Sequence, residues 1–292
     1  MFDRLKAGVI NLGLKMISLD EKIVRIFLET SPSNVEEIVI MPAVKMVMKK
    51  ILSKLEDKKR HGRVFNGTLN GVKVSVVRSL VGAPNAAIAV ECLRRCETKI
   101  ILRIDFCGGI NKEDQSIKVG DVLIPRNSYC GDGTSPQYML KYPSAFEGNA
   151  TIDNPFLDGS DFLSRKILEV RPDEKLTKLA LNQGKRLFGD AVKDVDFWTT
   201  DALFCEDSTF LSAMNSINVQ GIDMENALLF LISKIFQMKA ASILSVSDLP
   251  GHPKYDLLKS KKVHPDMERG VRNAINIVMK MLPKVRVLLG AR

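Results

Sequence analysis

Histidine, cysteine and tryptophan are scarce, with three, five and one respectively in 292 residues. The five cysteines, Cys92, Cys96, Cys107, Cys130 and Cys205, form no framework spacing. An odd, unpatterned set excludes a disulfide-dense scaffold and points to reduced thiols and a cytoplasmic setting. Cys92 and Cys96, four apart on an expected helix, read as two small packing residues. His61, His252 and His264 do not cluster, and none joins a cysteine at zinc spacing, so no metal site is expected. No apolar run reaches the roughly 18–20 residues of a spanning helix, so no membrane role is expected. Residues 1–14 include Asp3, Arg4 and Lys6 and lack the apolar centre of a signal peptide.

What is present is an ordinary globular composition, 45% hydrophobic and 26% charged, with a surplus of positive charge. The net +9 and a pI near 9.3 raise nucleic acid as a partner. Residues 45–63 hold eight Lys and Arg against Glu56 and Asp57, so six of the nine net charges fall in one stretch. That stretch contains no aromatic residue to stack on bases, and a solvated helix face explains it better. No nucleic-acid partner is expected.

Periodicity supplies the architecture. Residues 36–41 read as a short buried strand. Val44, Val47, Met48, Ile51 and Leu55 share one face of an expected helix over 43–56. Asn70-Gly71 between 63–69 and 72–77 is a tight hairpin signature, because both turn residues tolerate positive φ. A helix is expected at 84–92 and strands at 99–105 and 121–125. Residues 126–165, rich in Gly, Pro, Asn and Ser, read as a long irregular connection. Helices near 173–188, 207–216, 224–238 and 264–284 alternate with strands near 191–200 and 240–246. The fold class is α/β, a single domain with a mixed central β-sheet flanked by helices. A helical arm is expected over 1–35 and the main domain over 36–292.

Several segments, in order, carry a resemblance. They are Val81-Gly82-Ala83-Pro84-Asn85-Ala86-Ala87, Leu102-Arg103-Ile104-Asp105-Phe106-Cys107-Gly108-Gly109 and Lys118-Val119-Gly120-Asp121-Val122-Leu123-Ile124-Pro125. Gly131-Asp132-Gly133-Thr134-Ser135, Gly221-Ile222-Asp223-Met224-Glu225 and Ser245-Val246-Ser247-Asp248 follow. Over roughly residues 36–284 the chain resembles the nucleoside phosphorylase/nucleosidase superfamily, of the purine nucleoside and uridine phosphorylase type with AMP-nucleosidase-like features. The resemblance implies cleavage of a nucleoside's N-glycosidic bond. It makes Asp248 the acid beside a purine N7, since a carboxyl raised by an apolar setting can protonate a leaving base. It places Met224 and Glu225 at the ribose, Arg103 and Lys45 at phosphate, Arg60 at the phosphate of the neighbouring subunit, and Cys107, Gly108, Phe204 and Asp223 at the base. From the residues alone, Asp248 also suits a turn cap and Glu225 a helix start. Arg103 in an apolar strand demands a partner, with Asp105, Glu91 or an anion as candidates.

The chain departs from the family where phosphate binds. The family's Gly-Asp-Pro-x-x-Arg-like loop corresponds to Pro42-Ala43-Val44-Lys45-Met46-Val47. Ala43 replaces its glycine and Val47 its arginine. Phe106 stands for a small hydroxyl residue and Asp105 for a glycine. Asp207 and Thr209 replace the residues that face uracil, which favours purine. The lead expectation is phosphorolysis of a purine nucleoside, with phosphate as co-substrate and no other cofactor. Hydrolysis of a purine nucleoside or of AMP, helped by Lys259, Lys261 and Lys262, is the second. A non-catalytic nucleoside-binding member is the third. The family also implies a homo-oligomer, a dimer or a hexamer built as a trimer of dimers.

Overall fold

The computed structural model describes residues 17–112, 116–156 and 166–290. Residues 1–16 of the expected arm and 157–165 of the expected loop lie outside the described residues. Helix α1 (Leu19–Leu28) starts at Ser18, whose hydroxyl accepts the Glu21 amide. Its Val24 and Leu28 are buried in the same core cluster as Ala86, Val90 and Leu93.

Strand β1 (Ile38–Ile40) leads through Met41-Pro42-Ala43-Val44 into helix α2 (Lys45–Leu52). Strands β2 (Glu56–His61), β3 (Val64–Leu69) and β4 (Val72–Val77) form an antiparallel unit. Asn70 and Gly71 turn the β3–β4 hairpin with φ of 50° and 75°. The expected 43–56 helix stops early, and the basic stretch is divided between a helix and an edge strand. Glu-Asp-Lys-Lys-Arg-His offers a helix no apolar residue to bury. As an edge strand it satisfies its backbone against β3 and turns its charges to water, which also deters pairing with other chains.

The remaining elements are helix α3 (Ala83–Leu93), β5 (Ile100–Gly109), β6 (Val122–Cys130), α4 (Ser135–Lys141), β7 (Thr151–Asp153) and β8 (Lys166–Val170). They continue with α5 (Glu174–Phe188), β9 (Val192–Thr199), α6 (Ser208–Ser216), β10 (Gly221–Asp223), α7 (Asn226–Ile235), β11 (Lys239–Asp248) and α8 (Asp266–Gly290). Residues 126–156 are more ordered than expected. β6 runs on to Cys130 because it pairs in parallel with β9 past an irregularity at Arg126, and α4 and β7 follow.

The sheet runs β2-β3-β4-β1-β5-β10-β9-β6-β8-β7, and β11 bridges β5 and β6. The pairings β5–β10, β10–β9, β9–β6, β6–β11 and β11–β5 therefore close a five-stranded ring. One core cluster gathers α1, α3 and α7 on one side of the sheet, and another gathers α2, α5 and α8 on the other. The ring brings the carboxyl ends of β5, β10 and β11 together around one cavity.

Candidate active site

Alternation along β5 sends Arg103, Asp105 and Cys107 to the same face. Arg103 is only 1% exposed, so its charge requires compensation inside the protein. Its guanidinium donates to Asp223 Oδ2 at 3.0 Å, to Asn226 Oδ1 at 2.9 Å and to Glu225 Oε2. Glu91, one partner considered from sequence, pairs instead with Arg94 and Arg95.

Asp223 is thoroughly engaged. Oδ2 also accepts the amides of Glu225 and Asn226, at 3.0 and 2.8 Å, which organises the start of α7. Oδ1 accepts the Thr199 hydroxyl at 2.7 Å. Asp223, expected against the base, lines the cavity and also anchors Arg103 and the turn that opens α7. Glu225 uses its other oxygen to accept the Gly82 amide at 2.7 Å, tying the segment ahead of α3 to the site. Met224 lines the cavity beside it.

Asp105 does something the sequence did not announce. Oδ2 accepts the backbone amides of Ala43 and Val44, and Oδ1 accepts the amide of Phe106 at 3.0 Å. Ala43 and Val44 immediately precede α2, where the resemblance placed phosphate. A carboxylate of the chain itself holds those donors. Phe106 contributes a ring to the cavity wall where a hydroxyl was expected.

One guanidinium therefore faces three buried carboxyls, those of Asp105, Asp223 and Glu225. Burial pushes the Asp105 carboxyl up, while Arg103 and the amides of Ala43, Phe106 and Val44 pull it back. Burial likewise raises Glu225 against the pull of Arg103, with Asp223 and Asp105 adding to the rise. Like charges about 4 Å apart at an effective dielectric of about 20 repel by about 4 kcal/mol. This end sets one buried guanidinium against three buried carboxyls, of which Asp105 and Glu225 are raised by burial.

The opposite end of the cavity, whose volume is about 260 Å³, is apolar with two carboxyls. Asp248 closes β11. Ser247 Oγ lies 2.6 Å from its Oδ1, and the Leu257 amide donates to Oδ2 at 3.3 Å. Burial raises its pKa. Glu206, which the sequence reading missed, also lines the cavity. Burial, followed by the charges of Asp248 and Asp256, pushes it up to about 8, so it is protonated at neutral pH. Cys107, Gly108, Leu203, Leu257 and Met267 complete the wall. Gly108 is closely packed, since an added Cβ would stand 3.0 Å from the Pro250 ring.

Phe204, Lys45 and Arg60 do not line this chain's cavity. Phe204 is 85% exposed and its neighbour Leu203 takes the cavity position, because the short turn at Leu203–Cys205 can direct only one of the pair inward. Lys45 and Arg60 line a separate basic cleft with Arg63 and Arg78. Lys45 opens α2, and Arg60 is held over the Phe65 ring while donating to the Gly62 carbonyl. Among the described residues, no group of His, Cys, Asp and Glu could hold a metal ion, and no helix is long and apolar enough to cross a membrane.

The Phosphorylase superfamily profile matches residues 37–283, and the chain belongs to that family. It is an enzyme of the nucleoside phosphorylase/nucleosidase superfamily. Guanosine phosphorylase of Halorubrum lacusprofundi is 23% identical over 255 residues, covering 84% of this chain and 94% of the relative. The same fold appears in purine nucleoside phosphorylase from Toxoplasma gondii, solved with immucillin-H (TM-score 0.67, 18% identity, 89% of this chain and 96% of that one). It appears also in the Campylobacter jejuni 5'-methylthioadenosine/S-adenosyl homocysteine nucleosidase (TM-score 0.62, 20% identity, 85% and 99%).

Proposed function

We propose that this protein cleaves the N-glycosidic bond of a purine nucleoside, releasing the free base and transferring the pentosyl group to a small acceptor. The observation that carries this reading is the division of one cavity. Asp248 and Glu206 stand as raised carboxyls at an apolar end, and Glu225, locked to Arg103, stands with Met224 at the other.

A purine fills the apolar end with its N7 toward Asp248. As the C1'–N9 bond breaks, its electron pair moves into the base and Asp248 supplies a proton at N7. Glu206, being protonated, donates a hydrogen bond to the base edge. Glu225 receives the ribose hydroxyls. Relatives named phosphorylases make phosphate the first acceptor to consider, with ribose 1-phosphate as product. Water is the second, favoured by Asp105 on the amides of Ala43 and Val44.

The test is a panel of inosine, guanosine, adenosine, uridine and AMP, scored by chromatography for free base. Release from at least one purine nucleoside, and little from uridine, is expected. Nucleoside binding by calorimetry without base release from any of them would convict the reading and leave a non-catalytic binder.

A further inference from the structure

We infer that a second cavity, behind Asp248, extends the base site, and that its lysines receive a carboxylate-bearing substituent attached at C6 of the purine. The inference rests on the purine nucleoside reading above and narrows its substrate class.

Two cavities meet at the base end. Ser247, Asp248, Leu257 and Met267 line the cavity described above and also a second one of about 460 Å³. In a purine, N7 and the group on C6 share one edge. A base whose N7 is turned to Asp248 therefore directs whatever is attached at C6 past Asp248 and Leu257, toward the second cavity.

That second cavity is basic. Lys254, Lys261 and Lys262 line it. Asp256 lines it too, but its carboxylate accepts the amides of Gly251 and Leu258 at 2.9 and 2.8 Å and pairs with Lys259 at 3.3 Å. The charge of Asp256 is thus answered within the loop. The loop is well tied down. The Tyr255 carbonyl accepts the Leu249 amide at 2.8 Å, just past the end of β11. The Tyr255 ring stacks on His252 at 4.5 Å and meets His264 edge-on at 5.1 Å. Ser260 Oγ donates to the Lys262 carbonyl at 2.8 Å.

The sequence pattern offered Lys259, Lys261 and Lys262 to the phosphate of AMP. In the structure Lys259 pairs with Asp256, and the other two line the space next to Asp248. Met224 and Glu225, which take the ribose in the reading above, line the first cavity and not the second. An anion on the base therefore reaches these lysines more directly than one on the sugar. An ammonium donating to a carboxylate makes a charge-assisted hydrogen bond. The three lysines are exposed, so each contributes modestly and the preference comes from the set.

The experiment compares kcat/KM for base release from N6-(1,2-dicarboxyethyl)adenosine, neutral N6-benzyladenosine, adenosine, inosine and AMP. The dicarboxyethyl compound is expected to exceed the benzyl compound by roughly tenfold at low salt, with the ratio falling toward one at about 1 M salt. Equal rates, or no release from either N6-substituted nucleoside while inosine or adenosine is cleaved, would overturn the inference and leave the purine nucleoside reading standing. No release from any of the five would overturn both. The triple variant Lys254→Gln, Lys261→Gln, Lys262→Gln should bring the dicarboxyethyl-to-benzyl ratio within about twofold of one. A general loss of folding would lower both rates and leave their ratio unchanged, so a preference that persists in the variant would overturn the role of the lysines. A preference for AMP over adenosine that the same variant abolishes would place the lysines at the 5' end of the nucleoside and overturn the inference as well.

Discussion

At the base end of the cavity two carboxyls, Asp248 and Glu206, stand among apolar side chains with no lining cation near them. At the sugar end three carboxyls crowd one guanidinium. The same residue type is thus put to two uses by its surroundings. Beside Asp248 burial acts with no cation opposing it, raising that carboxyl and pushing Glu206 up to about 8. Around Arg103 burial also raises Asp105 and Glu225, but the guanidinium pulls both back. Arg103 is bonded to Asp223, Asn226 and Glu225 at that end.

Substitutions can break this comparison one end at a time. The largest effect is expected at the sugar end. Arg103→Ala leaves three buried carboxyls without their cation and should cost about 3–5 kcal/mol of stability, read from urea denaturation at neutral pH. A loss below about 1 kcal/mol would mean that the carboxyls do not depend on it. Next is Glu225→Gln, which weakens both the ribose clamp and the Arg103 pair. A fall in kcat/KM of roughly 100-fold is expected in steady-state assays with inosine.

A pH series tests the base end. Glu206 ionises at about 8, so KM for inosine should climb as pH passes that value and stay flat in Glu206→Gln. Its pKa is raised above the 4.5 of a free glutamate, so the unfolded chain releases this proton first. The folded state therefore loses stability as pH rises from about 4.5 toward about 8, and Glu206→Gln should remove that slope from denaturation midpoints. The smallest effect is expected from Phe204→Ala. The side chain is exposed outside the cavity, and kcat/KM should stay within about twofold of wild type.

What could be read beforehand follows the range of the physical signal. The Asn70-Gly71 hairpin and the alternation of helices and strands are local patterns, and they appear in the structure near their expected places. β2 was invisible because Glu56–His61 has no apolar alternation; only the open edge of β3 makes it a strand. Closure of the ring depends on β11 pairing with both β5 and β6, a relation between distant segments with no local signature.

The site divides in the same way. Asp248, Glu225, Met224, Cys107 and Gly108 line the cavity as the motifs implied. Arg103 lines it too, but its partners come from a turn about 120 residues away in sequence. Asp105 was visible as a departure from the family pattern, yet its bond to the amides of Ala43 and Val44 emerges only when β1 and β5 lie side by side. Glu206 gave no signal at all, since one glutamate in a polar turn looks like any solvated acid until folding places it beside Asp248.

The central claim is that the base leaves toward Asp248, and the most direct measurement is hypoxanthine release from inosine by Asp248→Asn beside wild type, with inosine affinity measured by calorimetry. Release falling more than about tenfold, with affinity within about threefold, is the predicted result. A variant that releases hypoxanthine at close to the wild-type rate would contradict the account.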